Sequence, residues 1–268
     1  MPAVSGRHTS GETRFANLTA RVRTLKLTIA YDGTDYVGWQ RQTNGLSIQQ
    51  VIEDAVAPLV EDVERRPGVA GASRTDAGVH AAAQVASVNL DVDLSTGSLL
   101  RAVNVRLPPD IRVLQVEDAA LGFHARFHAR GKSYRYRLLR TAVMSPFDRA
   151  FAWHVPELSD VDAMRRAAVA FVGRHDFASF QARGSSTLDT VRTIERLHID
   201  ERGGEVIIEI DGDGFLRHMV RAIVGTLVEV GSGLRSAEAV PTILAERHRR
   251  AGGPTAPARG LMLIAVRY

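Results

Sequence analysis

The loop Gly71-Ala72-Ser73-Arg74-Thr75-Asp76-Ala77-Gly78-Val79-His80-Ala81 holds the side chains best placed to do chemistry in this chain. Asp76 stands two residues after Arg74 and two before Gly78. A carboxylate and a guanidinium on one tight loop can form a charge-assisted pair that keeps the acid ionised. Gly78 permits close approach of a ligand or another backbone, and His80 adds a polar group. A structural ion pair that merely fixes a turn is the competing reading of an Arg-x-Asp loop.

Two other segments combine cations with rings or apolar stripes. Arg126 to Arg140 is the densest basic stretch. In strand register Lys132, Tyr134, Tyr136 and Leu138 share one face, and Ser133, Arg135, Arg137 and Leu139 the other. Arginines that meet phosphates and rings that stack on exposed bases suit RNA; a strand with one solvated face is the plainer alternative. From Phe215, an apolar stripe runs through Leu216, Met219, Val220, Ile223, Val224, Leu227 and Val228. Arg217 and Arg221, four apart, are expected as neighbours on the opposite side, paired to hold a phosphate. Arg247-His248-Arg249-Arg250 reads as an ordinary surface run. His124, His128 and His175 are too scattered for a metal site, and no catalytic metal is expected. Trp39 and Trp153 read as core or loop anchors. The glycines lack the strand–helix context of a dinucleotide or phosphate loop.

These groups need a scaffold, and the pattern supplies one. The 268 residues are 45% hydrophobic and 24% charged, with a formal net charge of +4. Such a chain can bury a core, and its mild basicity permits a polyanionic partner without establishing one. With no cysteine, disulfides, thiolate nucleophiles and cysteine-ligated zinc are excluded. No signal-peptide core or membrane-length apolar run is present, so a cytoplasmic protein is expected.

Residues 1–23 are Ser-, Thr-, Gly- and Arg-rich and are expected to form a flexible tail. The pattern predicts strands at 25–30, 68–73, 83–91, 111–116, 132–139 and 261–266, and a hairpin of 191–199 with 205–210 turning at Gly203-Gly204. Helices are expected from the Ser47-x-x-Gln50 capping box, at 96–105, from a Ser159 cap to about 172, at 215–230 and at 236–247. The mixture predicts an α+β fold. Two strand–helix–strand halves, 24–125 and 126–268, would form a mostly antiparallel sheet with helices outside and a basic central cleft.

Arg74-Thr75-Asp76-Ala77-Gly78-Val79-His80-Ala81 resembles the catalytic loop of TruA-type tRNA pseudouridine synthases. Five further motifs, one before it and four after, stand in family order. They are Tyr31-Asp32-Gly33-Thr34-Asp35-Tyr36-Val37-Gly38-Trp39-Gln40, Phe127-His128-Ala129-Arg130 with Lys132–Tyr136, His175–Phe180, Phe215–Arg221, and Ala256–Leu261. Ser73 departs from a common Gly, and Ala222 from a common Asn; the latter puts one polar contact near the site in doubt.

The resemblance implies isomerisation of uridine to pseudouridine at positions 38, 39 and 40 of the tRNA anticodon stem-loop, without a cofactor, by a homodimer. It implies Asp76 as nucleophile or as the group assisting a glycal route, Arg74 paired with it and entering the space left by a flipped base, and Tyr134 placing the base and moving a proton. Lys132, Arg135, Arg217, His218, Arg221 and Leu261 would contact substrate. Two other classes fit parts of the pattern. A non-catalytic RNA-binding module would need the basic stripe but not Asp76. A nucleoside glycosidase would need a second acid at a set separation, and no partner stands out.

Overall fold

Alternation of apolar and polar residues gives this chain its strands, and the computed structural model describes residues 22–60, 66–185 and 187–268. The elements run β1 (Arg23–Tyr31), α1 (Ile48–Val56), β2 (Ala70–Gly71), β3 (His80–Leu90), α2 (Thr96–Asn104), β4 (Ile111–Asp118), β5 (Gly131–Leu139), β6 (Trp153–His154) and α3 (Val161–Val169). They continue with β7 (Gly173–Asp176), β8 (Val191–Arg202), β9 (Glu205–Gly212), α4 (Met219–Gly231), α5 (Val240–Glu246) and β10 (Leu261–Arg267).

Together they build an α+β fold around one sheet of order β4-β1-β3-β10-β5-β9-β8-β7, with β2 beside β3 and β6 beside β5. Its ladders are antiparallel except β10–β3 and β5–β6. The short parallel seam, Met262 against His80 and Leu263 against Ala81, joins the strands before residue 125 to those after it. This seam brings the end of the Asp76 loop beside the C-terminal strand.

One sheet face is apolar and carries the helices. Leu25, Leu27, Ile29 and Tyr31 of β1, Tyr134, Tyr136 and Leu138 of β5, and Val206, Ile208 and Ile210 of β9 are buried there in one core. The core also takes Ile48 and Ile52 of α1, Leu99 and Val103 of α2, and most of α4. Each fully buried aliphatic side chain adds about 1.5–3 kcal/mol by leaving water. The period of two sends the alternate residues to the other face. There Arg135 meets Glu209, Arg196 meets Glu209 and Asp211, and Lys26 meets Glu117.

Caps set the helix starts. Ser47 Oγ accepts from Gln50 N–H, and Ser95 Oγ from Ser98 N–H. Such caps contribute about 1 kcal/mol each. Several boundaries differ from expectation. The cap of α3 is Asp160, accepting from Ala163 N–H; the expected cap Ser159 instead donates to Gly231 O. The expected helix at 236–247 is a 3₁₀ turn, Ala237–Ala239, followed by α5. The strand expected at 68–73 shortens to Ala70–Gly71 with one further bond from Ala72 N–H to Val85 O, and at Ser73 the backbone turns to the Gln84 side chain. The hairpin turns at Gly203 and Gly204, both at positive φ, as a two-residue turn of that hand requires. The expected tail at 1–23 lies outside the described residues up to 21, while Arg23 opens β1 and pairs with Asp118.

Candidate active site

Four backbone hydrogen bonds brace the loop that carries Asp76. Ala72 N–H bonds Val85 O at 2.8 Å, Trp39 N–H bonds Thr75 O at 3.0 Å, and Gly78 N–H bonds Tyr36 O at 3.3 Å. Val79 N–H closes the turn onto Asp76 O at 3.1 Å. The segment Tyr31–Gln40 therefore wraps the loop, and its glycines are needed for the fit. A Cβ on Gly33 would lie 2.1 Å from Val79 O. Gly38, at φ +103°, would place one 2.5 Å from Thr75 O. Trp39 is buried as an anchor against Gly71 and Tyr31.

His80 closes the loop onto the C-terminal half. Its Nε2 lies 2.9 Å from Ala150 O and 3.1 Å from Arg259 O. Carbonyls only accept, so Nε2 carries a hydrogen, while Nδ1 lies 3.1 Å from both Gly33 N and Asp32 Oδ1.

The cation beside Asp76 is Arg221, not Arg74. Arg221 Nη1 lies 3.2 Å from Asp76 Oδ2, and His218 Nε2 lies 3.5 Å from the same oxygen. Arg74 is exposed, and no ion pair joins it to Asp76 among the described residues. The expected Arg74–Asp76 pair is thus replaced by a contact from α4. Arg221 sits in the first turn of that helix. Its Nε donates to Ala256 O at 2.7 Å, and its own carbonyl accepts from Ala256 N–H at 3.0 Å. Gly225 lets the 252–257 loop close on α4, since a Cβ there would lie 1.8 Å from Pro254 O.

The start of α4 also differs from expectation. His218 occupies the left-handed region at φ 61°, so the helix begins at Met219 rather than Phe215. Left-handed backbone in a non-glycine residue costs about 1–3 kcal/mol and tends to mark functional sites. The break puts Arg217 outside the helix, exposed, with its carbonyl accepting from Ala182 N–H. Arg217 and Arg221 are therefore not neighbours on one helix face. Burial pushes the His218 imidazole below its usual pKa; Asp76 opposes this, and Arg221, Arg217 and Arg249 add to it.

From β5, Tyr134 reaches the loop from the other side. Its hydroxyl lies 2.8 Å from Ser73 Oγ, and its ring meets Phe215 edge-on at 5.2 Å. Burial is the main reason its phenol is pushed up to about 12; the Ser73 bond opposes the shift, and the charge of Asp76 adds to it. Lys132 shares the Tyr134 face and is held below its usual pKa by burial first, then by Arg126 and Arg192. Leu261 is buried beside Tyr136 at the start of β10.

Arg135 does not join this site. It lies on the opposite face of β5, where its guanidinium holds Glu209 at 2.7 Å. Ala222 is fully buried in α4, so the departure from Asn places a methyl in the core.

Sequence reasoning missed one polar residue of the site, Gln84. It is 0% exposed, and its amide meets both Ser73 backbone groups. A lone glutamine in the apolar run His80–Leu90 was the available signal. Among the described residues no three His, Asp or Glu side chains are grouped to hold a metal.

The arrangement presents one carboxylate on a rigid loop, a guanidinium and an imidazole at one of its oxygens, and a buried tyrosine close by. Comparisons with known proteins point the same way. A family model described as tRNA pseudouridine synthase matches residues 27–128 and 167–268. The chain is 45% identical over 247 residues to tRNA pseudouridine synthase A of Pelobacter propionicus, covering 92% of this chain and 100% of that protein. It is 47% identical over 247 residues to the protein of the same name from Syntrophotalea carbinolica, covering 91% and 96%. For the Geobacter sulfurreducens protein of that name the identity is 43%, covering 92% and 100%.

Proposed function

This chain belongs to the tRNA pseudouridine synthase family and is an isomerase of uridine in tRNA, and from that premise we propose that Asp76 is its nucleophile and that it acts on uridines 38, 39 and 40 of the anticodon stem-loop. The observation that carries the residue assignment is the setting of Asp76. Its loop is fixed on both sides, and the Arg221 guanidinium and the His218 imidazole both sit at Oδ2. That leaves Oδ1 as the attacking oxygen.

In this reading a uridine leaves its stack and enters the cleft. Asp76 Oδ1 attacks C1′ as the N1–C1′ bond breaks, and the electron pair leaves with the uracil. The base turns, and C5 attacks C1′ to release the carboxylate. C5 then loses its proton and N1 gains one. The balance needs no oxidant and no group donor. A glycal route, with the carboxylate assisting loss of the C2′ proton, uses the same residue.

The 24–125 half supplies the acid, and the 126–268 half supplies Arg221 and Tyr134. Arg221 orients the carboxylate through its 3.2 Å contact to Oδ2. Tyr134 places the base or sugar and assists proton movement. Arg74, exposed on the same loop, fills the space left by the flipped base. Lys132, Arg217 and His218 meet the RNA backbone, and Leu261 packs against the bound nucleotide. A homodimer in the cytoplasm, with tRNA spanning both subunits, completes the reading. No helix among the described residues is long and apolar enough to cross a membrane.

The experiment is incubation of the protein with unmodified tRNA bearing uridine at 38–40, followed by base-resolved pseudouridine mapping. Product at those positions alone is expected. Product elsewhere keeps the chemistry and overturns the position assignment.

A further inference from the structure

We propose that Ser73 is a positioning residue for the isomerisation: its hydroxyl donates to the Tyr134 oxygen and leaves the phenol hydrogen free for the target nucleotide. The inference deepens the reading above and rests on Tyr134 meeting the target base or sugar. Both residues are buried, and their oxygens are 2.8 Å apart.

A phenol has one hydrogen to give. Were Tyr134 to donate to Ser73, that hydrogen would be spent inside the protein. With Ser73 donating, the serine hydrogen is satisfied and the tyrosine hydrogen has no partner among the described residues. The second arrangement is the one a substrate can use.

Gln84 fixes where the serine stands. Its Oε1 accepts from Ser73 N–H at 3.3 Å, and its Nε2 donates to Ser73 O at 2.8 Å. This side chain pairs with the residue as a neighbouring strand would. The same Nε2 lies 3.4 Å from Tyr31 Oη, and Tyr31 Oη lies 2.8 Å from Thr75 Oγ1. One buried chain of hydrogen bonds therefore runs Tyr134, Ser73, Gln84, Tyr31, Thr75 and ends beside Asp76. Buried networks of this kind are high-stakes, since an unpaired member costs its full desolvation. The network locks the tyrosine of β5 to the loop that carries the acid. A glycine at 73 would leave the loop's backbone bonds intact and the phenol without this partner.

The test is a double-mutant cycle under single-turnover conditions on unmodified tRNA, with S73A, S73G, Y134F and S73A/Y134F. Melting temperatures are recorded so that every variant is assayed well below its own transition. S73A and S73G are expected to slow pseudouridine formation about tenfold, the loss of one hydrogen bond, with RNA affinity unchanged. In the Y134F background S73A is expected to add nothing. A purely structural serine would slow both backgrounds equally. That result, or S73A at the wild-type rate, overturns the proposal. A wild-type protein that forms no pseudouridine overturns the site reading itself. An active wild type with Y134F equally fast overturns the role of the phenol and with it this proposal, and leaves the isomerase reading standing.

Discussion

Replacing Arg221 by alanine probes the contact on which the site geometry turns. The substitution removes the Nη1–Oδ2 contact to Asp76 at 3.2 Å and the Nε–O bond to Ala256 at 2.7 Å. A hydrogen bond to a charged group contributes about 1.5–3 kcal/mol. At about 1.4 kcal/mol per tenfold, the Asp76 contact is worth roughly 10- to 150-fold in rate if the transition state depends on it. The Asp76 side chain is 25% exposed, so water screens part of the pair. The lower end of that range, about 10- to 30-fold, is the expected loss in single-turnover pseudouridine formation.

Loss of the Ala256 bond costs stability separately, about 1 kcal/mol, or roughly 2–4 °C in Tm for a chain of this size. R221K keeps a charge, but one ammonium cannot hold both acceptors as the guanidinium does. Its rate is expected between those of wild type and R221A. Rates on labelled RNA, affinities by filter binding and thermal melts separate the two effects. R221A within twofold of the wild-type rate refutes the reasoning, whatever happens to Tm.

Three further outcomes follow from the geometry. His218 is held below its usual value in the folded state, so the unfolded chain binds more protons as pH falls through about 6.5. H218N removes that penalty and tolerates the left-handed backbone. The Tm difference, mutant minus wild type, should grow as pH drops from 7.5 to 5, and a flat difference would refute the assignment. G38A, forced to φ +103° with a Cβ 2.5 Å from Thr75 O, should cost about 1–3 kcal/mol. It should also slow isomerisation by loosening the Trp39–Thr75 brace, and wild-type melting and rate would contradict this. R135A should leave rate and RNA affinity within about twofold, because its pair with Glu209 is on the far face and such exposed pairs contribute about 0–1 kcal/mol. A large loss of RNA affinity would put that face against the substrate.

The Asp76 loop was legible because its chemistry is local: acid, cation and glycine fall within a few residues. The face shared by Lys132, Tyr134 and Tyr136 was legible for the same reason, since strand alternation is a short-range rule. That rule also places Arg135 opposite Tyr134, where it pairs with Glu209. The cation that meets Asp76 was not legible, because Arg221 lies 145 residues away in sequence. Arg74, close in sequence, was the natural but incorrect partner. The start of α4 was hidden because the apolar stripe runs unbroken through Phe215 and Leu216, while His218 leaves the helical region for tertiary reasons. Gln84 was passed over because a single polar residue in a strand has no meaning until the backbone it satisfies is known. The 68–73 strand failed at the same place, where Gln84 takes over the pairing of Ser73.

The central claim is that Asp76 performs the chemistry, and D76N tests it most directly, since it keeps the size of the side chain and removes its charge. The measurement is single-turnover pseudouridine formation by D76N on tRNA, with folding and RNA affinity recorded alongside. D76N is expected to fold and to bind RNA as the wild type does, and to give no detectable product. Product from D76N at or near the wild-type rate would contradict the claim.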